Sequence, residues 1–176
     1  MTGDNTHQVR LRFAELADVR KITEVINAAF RKAEGFFVDL DRINAEEVSA
    51  VLHKGKFLLA DDYQGVLVGC VYVEPRGDRA YLGLLSVDPS RQQSGLGSLL
   101  MTAAEDYCAG LGCLFMDISV VNLRQELPDF YRKRGYVETG TSPFPADVKT
   151  KLPCHFITMA KALPAFKKQV TVNYSM

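Results

Sequence analysis

The segment Val87-Asp88-Pro89-Ser90-Arg91-Gln92-Gln93-Ser94-Gly95-Leu96-Gly97 connects the end of an apolar strand to the start of a helix. A helix N-terminus leaves about four backbone N–H groups without partners and carries a partial positive charge, so it can hold a phosphate without any lysine. Glycines at 95 and 97 allow the backbone to approach a ligand closely. The segment therefore predicts a phosphate-binding turn, and the elements on either side of it decide the fold class.

Three further interpretations of this turn make different demands on the sequence. A dinucleotide fingerprint G-x-G-x-x-G needs a third glycine where the chain has Leu100, and its strand should open a β-α-β unit instead of closing a meander. Asp117 does lie about 20 residues downstream, as that fingerprint requires. The dinucleotide fingerprint therefore stays open as the weaker alternative. A Walker loop G-x-x-x-x-G-K-S/T is absent. The third interpretation is a tight strand-to-helix turn that binds no ligand, with glycines present only because the backbone conformation favours them.

The elements before the turn are predicted as two helices and a set of strands. Apolar spacing indicates a helix that begins after Asp18 and stops at Gly35. Asn44 with Glu47 three residues later is the capping-box arrangement of a second helix, which ends at Gly55. Strands are predicted at residues 8–14, 56–60, 66–73 and 81–87, and the last three form an antiparallel meander separated by the turn formers DDYQG and EPRGDR.

The elements after the turn alternate between helix and strand. Apolar residues from Leu96 to Cys108 follow the helical period, and a strand at 113–120 should then lie parallel to strand 81–87 through a crossover. Pro128 suits the first position of a short helix that stops at Gly135. Two final strands are predicted at residues 136–139 and 155–159.

Composition restricts the class of protein. The chain has 176 residues, of which 47% are hydrophobic, and this fits one domain with a substantial core. Its 21 basic and 21 acidic residues leave no net field to attract nucleic acid or an anionic membrane. The polar N-terminus and the lack of an apolar run of roughly 20 residues favour a cytoplasmic protein. Four scattered cysteines are expected to be reduced and structural, and no metal site is predicted.

Two motifs together resemble the GNAT superfamily of N-acetyltransferases. Gln92-x-x-Gly95-x-Gly97 is similar to that family's Arg/Gln-x-x-Gly-x-Gly/Ala signature, and Phe130-Tyr131 in a short helix before Gly135 and Tyr136 is similar to its second motif. The resemblance covers residues 8–163, with 164–176 as a C-terminal tail. It implies an α/β (α+β) mixed-sheet fold of one domain, in which a three-stranded antiparallel meander precedes a β-α-β crossover with diverging parallel strands.

The resemblance also implies acetyl-CoA as the acetyl donor and assigns residues to it. Backbone amides from Gln93 to Ser98 should hold the pyrophosphate, and strand residues Leu85, Ser86 and Val87 should pair with pantetheine as an added strand. The implied cofactor-binding set is completed by Gln92, Ser94, Gly95, Leu96, Gly97, Phe130, Tyr131 and Asn122. Asn122 departs from the family's pattern, because the family's asparagine precedes the tyrosine by about seven residues and Asn122 precedes Tyr131 by nine.

Attack of an amine on a thioester produces an oxyanion and expels a thiolate that must be protonated. The resemblance gives this role to Tyr131, whose reference pKa of about 10 keeps it protonated near neutral pH. The amine must also lose a proton, and the residues do not decide how. Glu74, Asp117 and His155 are alternative bases, and a water chain to solvent is a fourth.

The acceptor is expected in a groove between the first two helices, the diverging strands and the loop before the last strand. Its candidate lining residues are aromatic, with core packing as the alternative role of each: Phe30, Phe36, Phe37, Tyr72 and Phe144, together with His155. The sequence thus predicts an N-acetyltransferase acting by direct transfer on a primary amine of a small molecule or peptide. A non-catalytic acyl-CoA-binding module is the alternative. The oligomeric state, including a homodimer, stays open.

Overall fold

The computed structural model describes residues 9–92 and 94–165. Within them the chain forms one seven-stranded sheet with the strand order β1-β2-β3-β4-β5-β7-β6. The strands are β1 (Arg10–Phe13), β2 (Lys56–Asp61), β3 (Leu67–Arg76), β4 (Arg79–Val87), β5 (Phe115–Val121), β6 (Val137–Pro143) and β7 (His155–Ala162). The helices are α1 (Val19–Glu34), α2 (Ala45–Leu52), α3 (Leu96–Gly110) and α4 (Glu126–Lys133). The predicted α/β mixed-sheet architecture is confirmed, while Gln8, Gln93 and the tail from 166 lie outside the described residues.

Local signals in the sequence account for the helix limits. Asn44 and Glu47 form the predicted capping box at the start of α2, with both bonds 2.9 Å long. Asp18 stands at the N-cap of α1, but its carboxylate accepts hydrogen bonds from Arg12 and from the backbone N–H of Glu15 instead of capping the helix. The local pattern therefore located the start of α1 without predicting the bonds that fix it.

The meander is longer than the sequence indicated. Strand β3 continues to Arg76 and β4 begins at Arg79, so only Gly77 and Asp78 form the turn between them. Gly77 has a φ of +70°, which suits the first central position of a two-residue hairpin, where glycine is favoured because φ is positive. The turn predicted within EPRGDR is therefore present but shorter than that segment, since a two-residue hairpin lets the outer residues join the ladder.

The central feature of the sheet is the parallel pair β4 and β5, which stays paired over only three positions. Arg79, Ala80 and Tyr81 pair with Phe115, Met116 and Asp117, and no pairing between the two strands follows among the described residues. From Leu82 onward, one edge of β4 therefore has no partner strand in β5. The predicted divergence of the parallel strands is confirmed, and it opens a gap in the middle of the sheet.

The gap lies between two apolar cores on opposite faces of the sheet. Helices α1 and α2 cover one face, where Ile22, Ile26 and Val48 are fully buried. Helix α3 covers the other, where Leu100 and Met101 are fully buried. Each face of the sheet is therefore covered by its own helices. Among the described residues no helix has the length and apolar character needed to cross a membrane.

Candidate active site

A cavity of about 1010 Å³ occupies the gap between β4 and β5. Residues of α1 and of the loop after it line one part, and the start of α3 and residues of α4 line another. The cavity is therefore lined by elements from both faces of the sheet.

The predicted phosphate-binding turn lies at one end of this cavity. The Asp88 carboxylate accepts hydrogen bonds from the backbone N–H and the hydroxyl of Ser90, which holds the beginning of the turn. Gly95 is the N-cap of α3 with a φ of +78°, a conformation that a side chain rarely adopts. Ser94, Gly95, Leu96, Gly97 and Ser98 all line the cavity, as does Gln92.

The surroundings of Gly97 show whether the fold itself requires a glycine at this position. A Cβ atom at this position would meet only a methyl group of Val87, at 3.9 Å, which is an ordinary contact. The described fold therefore has no steric need for glycine there, unlike at Gly95. A bare backbone at a helix N-terminus fits a pyrophosphate that approaches the N–H groups directly, so these residues fit acetyl-CoA.

The end of β4 supplies a second feature for an extended ligand. The pairing with β3 shifts register between Gly83 and Ser86, and within this bulge Leu84 has a φ of +54°. A branched side chain in the left-handed region is strained, and such strain concentrates at functional sites. Leu85 and Val87 line the cavity, whereas Ser86 is buried and its hydroxyl donates to the Leu84 carbonyl.

Tyr131 projects from α4 into the lining of the same cavity. It is buried, and its ring makes edge contacts with Phe130 and Tyr136 at centroid distances of 5.1 and 5.7 Å. Burial raises the pKa of Tyr131 to about 12, so the phenol stays protonated at neutral pH. Phe130 lines the cavity beside it.

Asn122 lies outside the cavity lining. Its side-chain oxygen accepts from the backbone N–H of His155 at 2.8 Å, and its own N–H donates to the His155 carbonyl at 3.0 Å, so it joins the end of β5 to the start of β7. The position seven residues before Tyr131 is Arg124, which does line the cavity. At the spacing that is usual for the family's asparagine, this chain therefore places a cationic side chain in the cavity.

None of the three side chains predicted as alternative bases lines the cavity. Glu74 accepts from Tyr72 and Arg76, both at 3.1 Å, and the Arg76 bond keeps the pKa of this carboxyl below its usual range. Asp117 is held by two hydrogen bonds from Arg79. His155 is exposed at the start of β7. Their catalytic role stays a prediction without support from their position.

The predicted aromatic lining divides into two groups. Phe30 and Phe144 line the cavity. Phe37 and Tyr72 are buried in the apolar interior, and Phe36 is exposed outside the cavity. The first two residues therefore line the cavity, and the other three do not.

The sequence reasoning missed a group of charged side chains at the end of α1. Glu34 lines the cavity, is only 15% exposed, and lies 3.7 Å from Arg124. Burial raises the pKa of Glu34, while the charges of Arg124 and Arg42 oppose this shift and Glu126 reinforces it. Helical periodicity marks Glu34 only as the last residue before Gly35, so no local signal identifies it.

No cysteine lines the cavity, although Cys70, Cys108 and Cys113 are buried elsewhere. Burial raises the pKa of each of these three thiols. All four cysteines are free thiols. Over residues 9–92 and 94–165, no group of three or more His, Cys, Asp or Glu side chains is placed to hold a metal ion.

The cavity thus joins a glycine turn at a helix N-terminus, an open strand edge and a buried phenol. The comparison with family models gives the identity: residues 19–136 match the acetyltransferase (GNAT) family model. This chain belongs to the GNAT acetyltransferase family and is an acyltransferase. The resemblance stated from the two motifs is confirmed.

Solved structures agree in fold. Ard1 from Thermoplasma volcanium aligns with a TM-score of 0.73 at 19% identity, covering 89% of this chain and 98% of its own. The ribosomal-protein-S18-alanine N-acetyltransferase of Escherichia coli aligns at 0.71 and 15% identity, covering 93% and 98%. A phosphinothricin acetyltransferase from Sinorhizobium meliloti, solved in complex with AcCoA, aligns at 0.69 and 18% identity, covering 94% of each chain. No curated protein sequence matches the chain significantly.

Proposed function

We propose that this protein transfers the acetyl group of acetyl-CoA directly to a primary amine. The observation that carries the proposal is the single cavity that joins the turn at Gly95 and Gly97 to the buried phenol of Tyr131. One GNAT neighbour was solved in complex with AcCoA, which supports the same donor here. Acetyl-CoA supplies a thioester whose carbonyl carbon an amine can attack.

The turn and β4 bind and orient the donor in this proposal. Backbone N–H groups at the start of α3 bind the pyrophosphate, and the helix dipole favours its negative charge. The unpaired edge of β4 at Leu85 and Val87 binds the pantetheine arm in the manner of an added strand. Gln93 keeps its sequence-based assignment to the pyrophosphate, although it lies outside the described residues.

Tyr131 acts as the general acid. Its raised pKa leaves the phenol protonated at neutral pH, and its position in the cavity lets it donate that proton to the departing sulfur. Transfer is direct in this proposal, and no cysteine lines the cavity.

The test follows thiol release with acetyl-CoA and a panel of small amines and short peptides. Tyr131→Phe should lower kcat by about 100-fold or more, because the leaving thiolate loses its proton donor, while the affinity for acetyl-CoA changes little. Tyr107→Phe is the matched control, since Tyr107 lies on α3 against Phe13 and outside the cavity. Undiminished turnover in Tyr131→Phe would remove the assigned acid.

The turn taken alone would also suit the non-catalytic acyl-CoA-binding module that the sequence left open as an alternative. The buried phenol in the same cavity favours the enzyme. Calorimetry separates the two, because tight acetyl-CoA binding without turnover of any amine would identify the module.

A further inference from the structure

The part of the cavity lined by the end of α1 and the loop after it contains two charged groups, Glu34 and Arg42. Glu34 is the last residue of α1, where the partial negative charge of the helix C-terminus disfavours a carboxylate. Its nearest cation is Arg124 at 3.7 Å, but Arg124 binds Glu126 more closely, at 2.5 Å. A largely buried carboxylate is thus left with a distant, shared guanidinium, and this costs stability unless another cation binds there.

Arg42 is in the opposite situation at the exposed mouth of the same cavity. Its guanidinium lies 5.5 Å from the centre of the Phe30 ring, which holds it by a cation–π contact. Within residues 9–92 and 94–165, no carboxylate lies within ion-pairing distance of it, and the neighbouring Asp41 is bound by Arg31. A fixed guanidinium in this setting suits a carboxylate or another small anion.

The two groups line one cavity but form no ion pair with each other. Tyr81 lines the same cavity, and the charge of Arg42 opposes the rise in the pKa of both Glu34 and Tyr81. We propose that the acceptor is a small amine that also carries an anionic group, with its nitrogen at Glu34 and its anion at Arg42. This inference rests on the proposed acetyl transfer and adds the acceptor class and the base.

The proton balance assigns each group one task. An ammonium that becomes an amide loses two protons. The first leaves to solvent before attack, because only the neutral amine has a lone pair; Glu34 accepts the second as the C–N bond forms, and Tyr131 gives its own proton to sulfur as the C–S bond breaks. Transfer of the proton from Glu34 to Tyr131 through solvent then restores both groups, so that the net products are the CoA thiol and one released proton. Arg124 acts electrostatically on both residues, so acid and base lie near one guanidinium.

The pH dependence of this scheme has a definite sign. The carboxylate of Glu34 is the active form, and burial raises its pKa, so kcat at saturating substrates should rise with pH through that raised value. Arg124, Arg42 and Glu126 are the charged groups that set this value, and the phenols of Tyr81 and Tyr131 line the same cavity. No falling limb should appear below about pH 10, because Tyr131 stays protonated.

The experiment compares matched acceptors: an amino acid, its carboxamide, the corresponding amine without a carboxylate, and a short peptide. The wild-type protein should prefer the amino acid in kcat/KM, and Arg42→Gln should lower that preference by about tenfold to a hundredfold. Glu34→Gln should lower kcat for every acceptor, and kcat should then no longer rise with pH. Arg20→Gln and Glu24→Gln are controls, as an exposed ion pair on α1 away from the cavity.

Calorimetry with acetyl-CoA on each variant shows that it is folded and keeps the inference separate from the proposed function. Equal turnover of all four acceptors, with no effect of Arg42→Gln, would overturn the inference and leave acetyl transfer intact. A preference for the peptide or for the uncharged amine would also overturn it. Absence of turnover with every amine would instead overturn the proposed function.

Discussion

At the scale of single residues, Gly97 separates what the fold needs from what the ligand needs. A side chain at this position meets no obstacle within the described chain, but it would stand at the helix N-terminus where a pyrophosphate binds. Glu and Gln are nearly the same size, so replacing Gly97 with each in turn varies charge alone. Glutamate in the first turn of α3 also favours the helix dipole, so it should not destabilise the fold relative to glutamine.

We therefore predict that Gly97→Glu binds acetyl-CoA at least about tenfold more weakly than Gly97→Gln, through repulsion of the pyrophosphate. Calorimetric titration measures the affinity, and thermal melting measures the stability of both variants. Equal affinities in the two variants would mean that no phosphate binds at this turn.

Single residues also show which parts of the site could be predicted from the sequence. Gly95, Gly97 and Tyr131 lie in short motifs, so their patterns could be recognised from neighbours a few positions away. Glu34 and Arg124 are far apart in the chain and meet only because α1 and the loop after β5 face the same gap. No local pattern contains that contact. The donor side of the site could thus be predicted, whereas the acceptor side required the structure.

At the scale of elements, α2 supports the fold without lining the cavity. The side chain of Asn44 caps its first turn, and removal of such a cap costs about 1 kcal/mol. We predict that Asn44→Ala lowers the melting temperature by about 2–4 °C and leaves kcat unchanged. Melting curves and steady-state rates check this. A large loss of activity at full stability would show that α2 takes part in the site.

Glu105 of α3 supports the position of Tyr131 on α4 through an intermediate residue, Tyr136. The buried Glu105 carboxylate accepts from the Tyr136 hydroxyl at 3.0 Å and from Lys161 at 2.8 Å. Tyr136 in turn makes the edge contact with the ring of Tyr131. The network therefore connects α3 to Tyr136, which follows α4, and to β7.

We predict that Glu105→Ala lowers the free energy of unfolding by about 2–3 kcal/mol, because it leaves a buried hydroxyl and an ammonium group unpaired. Glu105→Gln retains one acceptor oxygen and should cost less. Denaturant unfolding compares the two variants. Equal and small losses would show that solvent compensates both partners.

The accuracy of the sequence-based fold also differs between elements. Helix starts, and the order in which helices and strands follow one another along the chain, can be predicted from capping residues and apolar periods, which are local. The length of the β3–β4 hairpin was underestimated because Glu74, Pro75 and Arg76 resemble turn residues, although they pair with the opposite strand. Cross-strand pairing is a non-local interaction and can override such propensities.

At the scale of the whole molecule, donor binding should couple to global stability, because the turn and β4 connect to both cores. A ligand that binds only the folded state stabilises it by about 2.7 kcal/mol at 100 times its dissociation constant. For a chain of this size we predict that acetyl-CoA at that concentration raises the melting temperature by about 5–10 °C. A thermal shift titration measures it, with adenosine as a control that lacks the pyrophosphate. An equal shift with adenosine would contradict binding at the turn.

The central claim is that one cavity through the sheet brings donor, acid and acceptor groups together. A crystal structure of the protein with acetyl-CoA tests it most directly. The account predicts a pyrophosphate on the backbone N–H groups of residues 95–98, a pantetheine arm along β4, and the sulfur within hydrogen-bonding distance of the Tyr131 hydroxyl. Acetyl-CoA bound outside the gap between β4 and β5, or with its thioester remote from Tyr131, would contradict it.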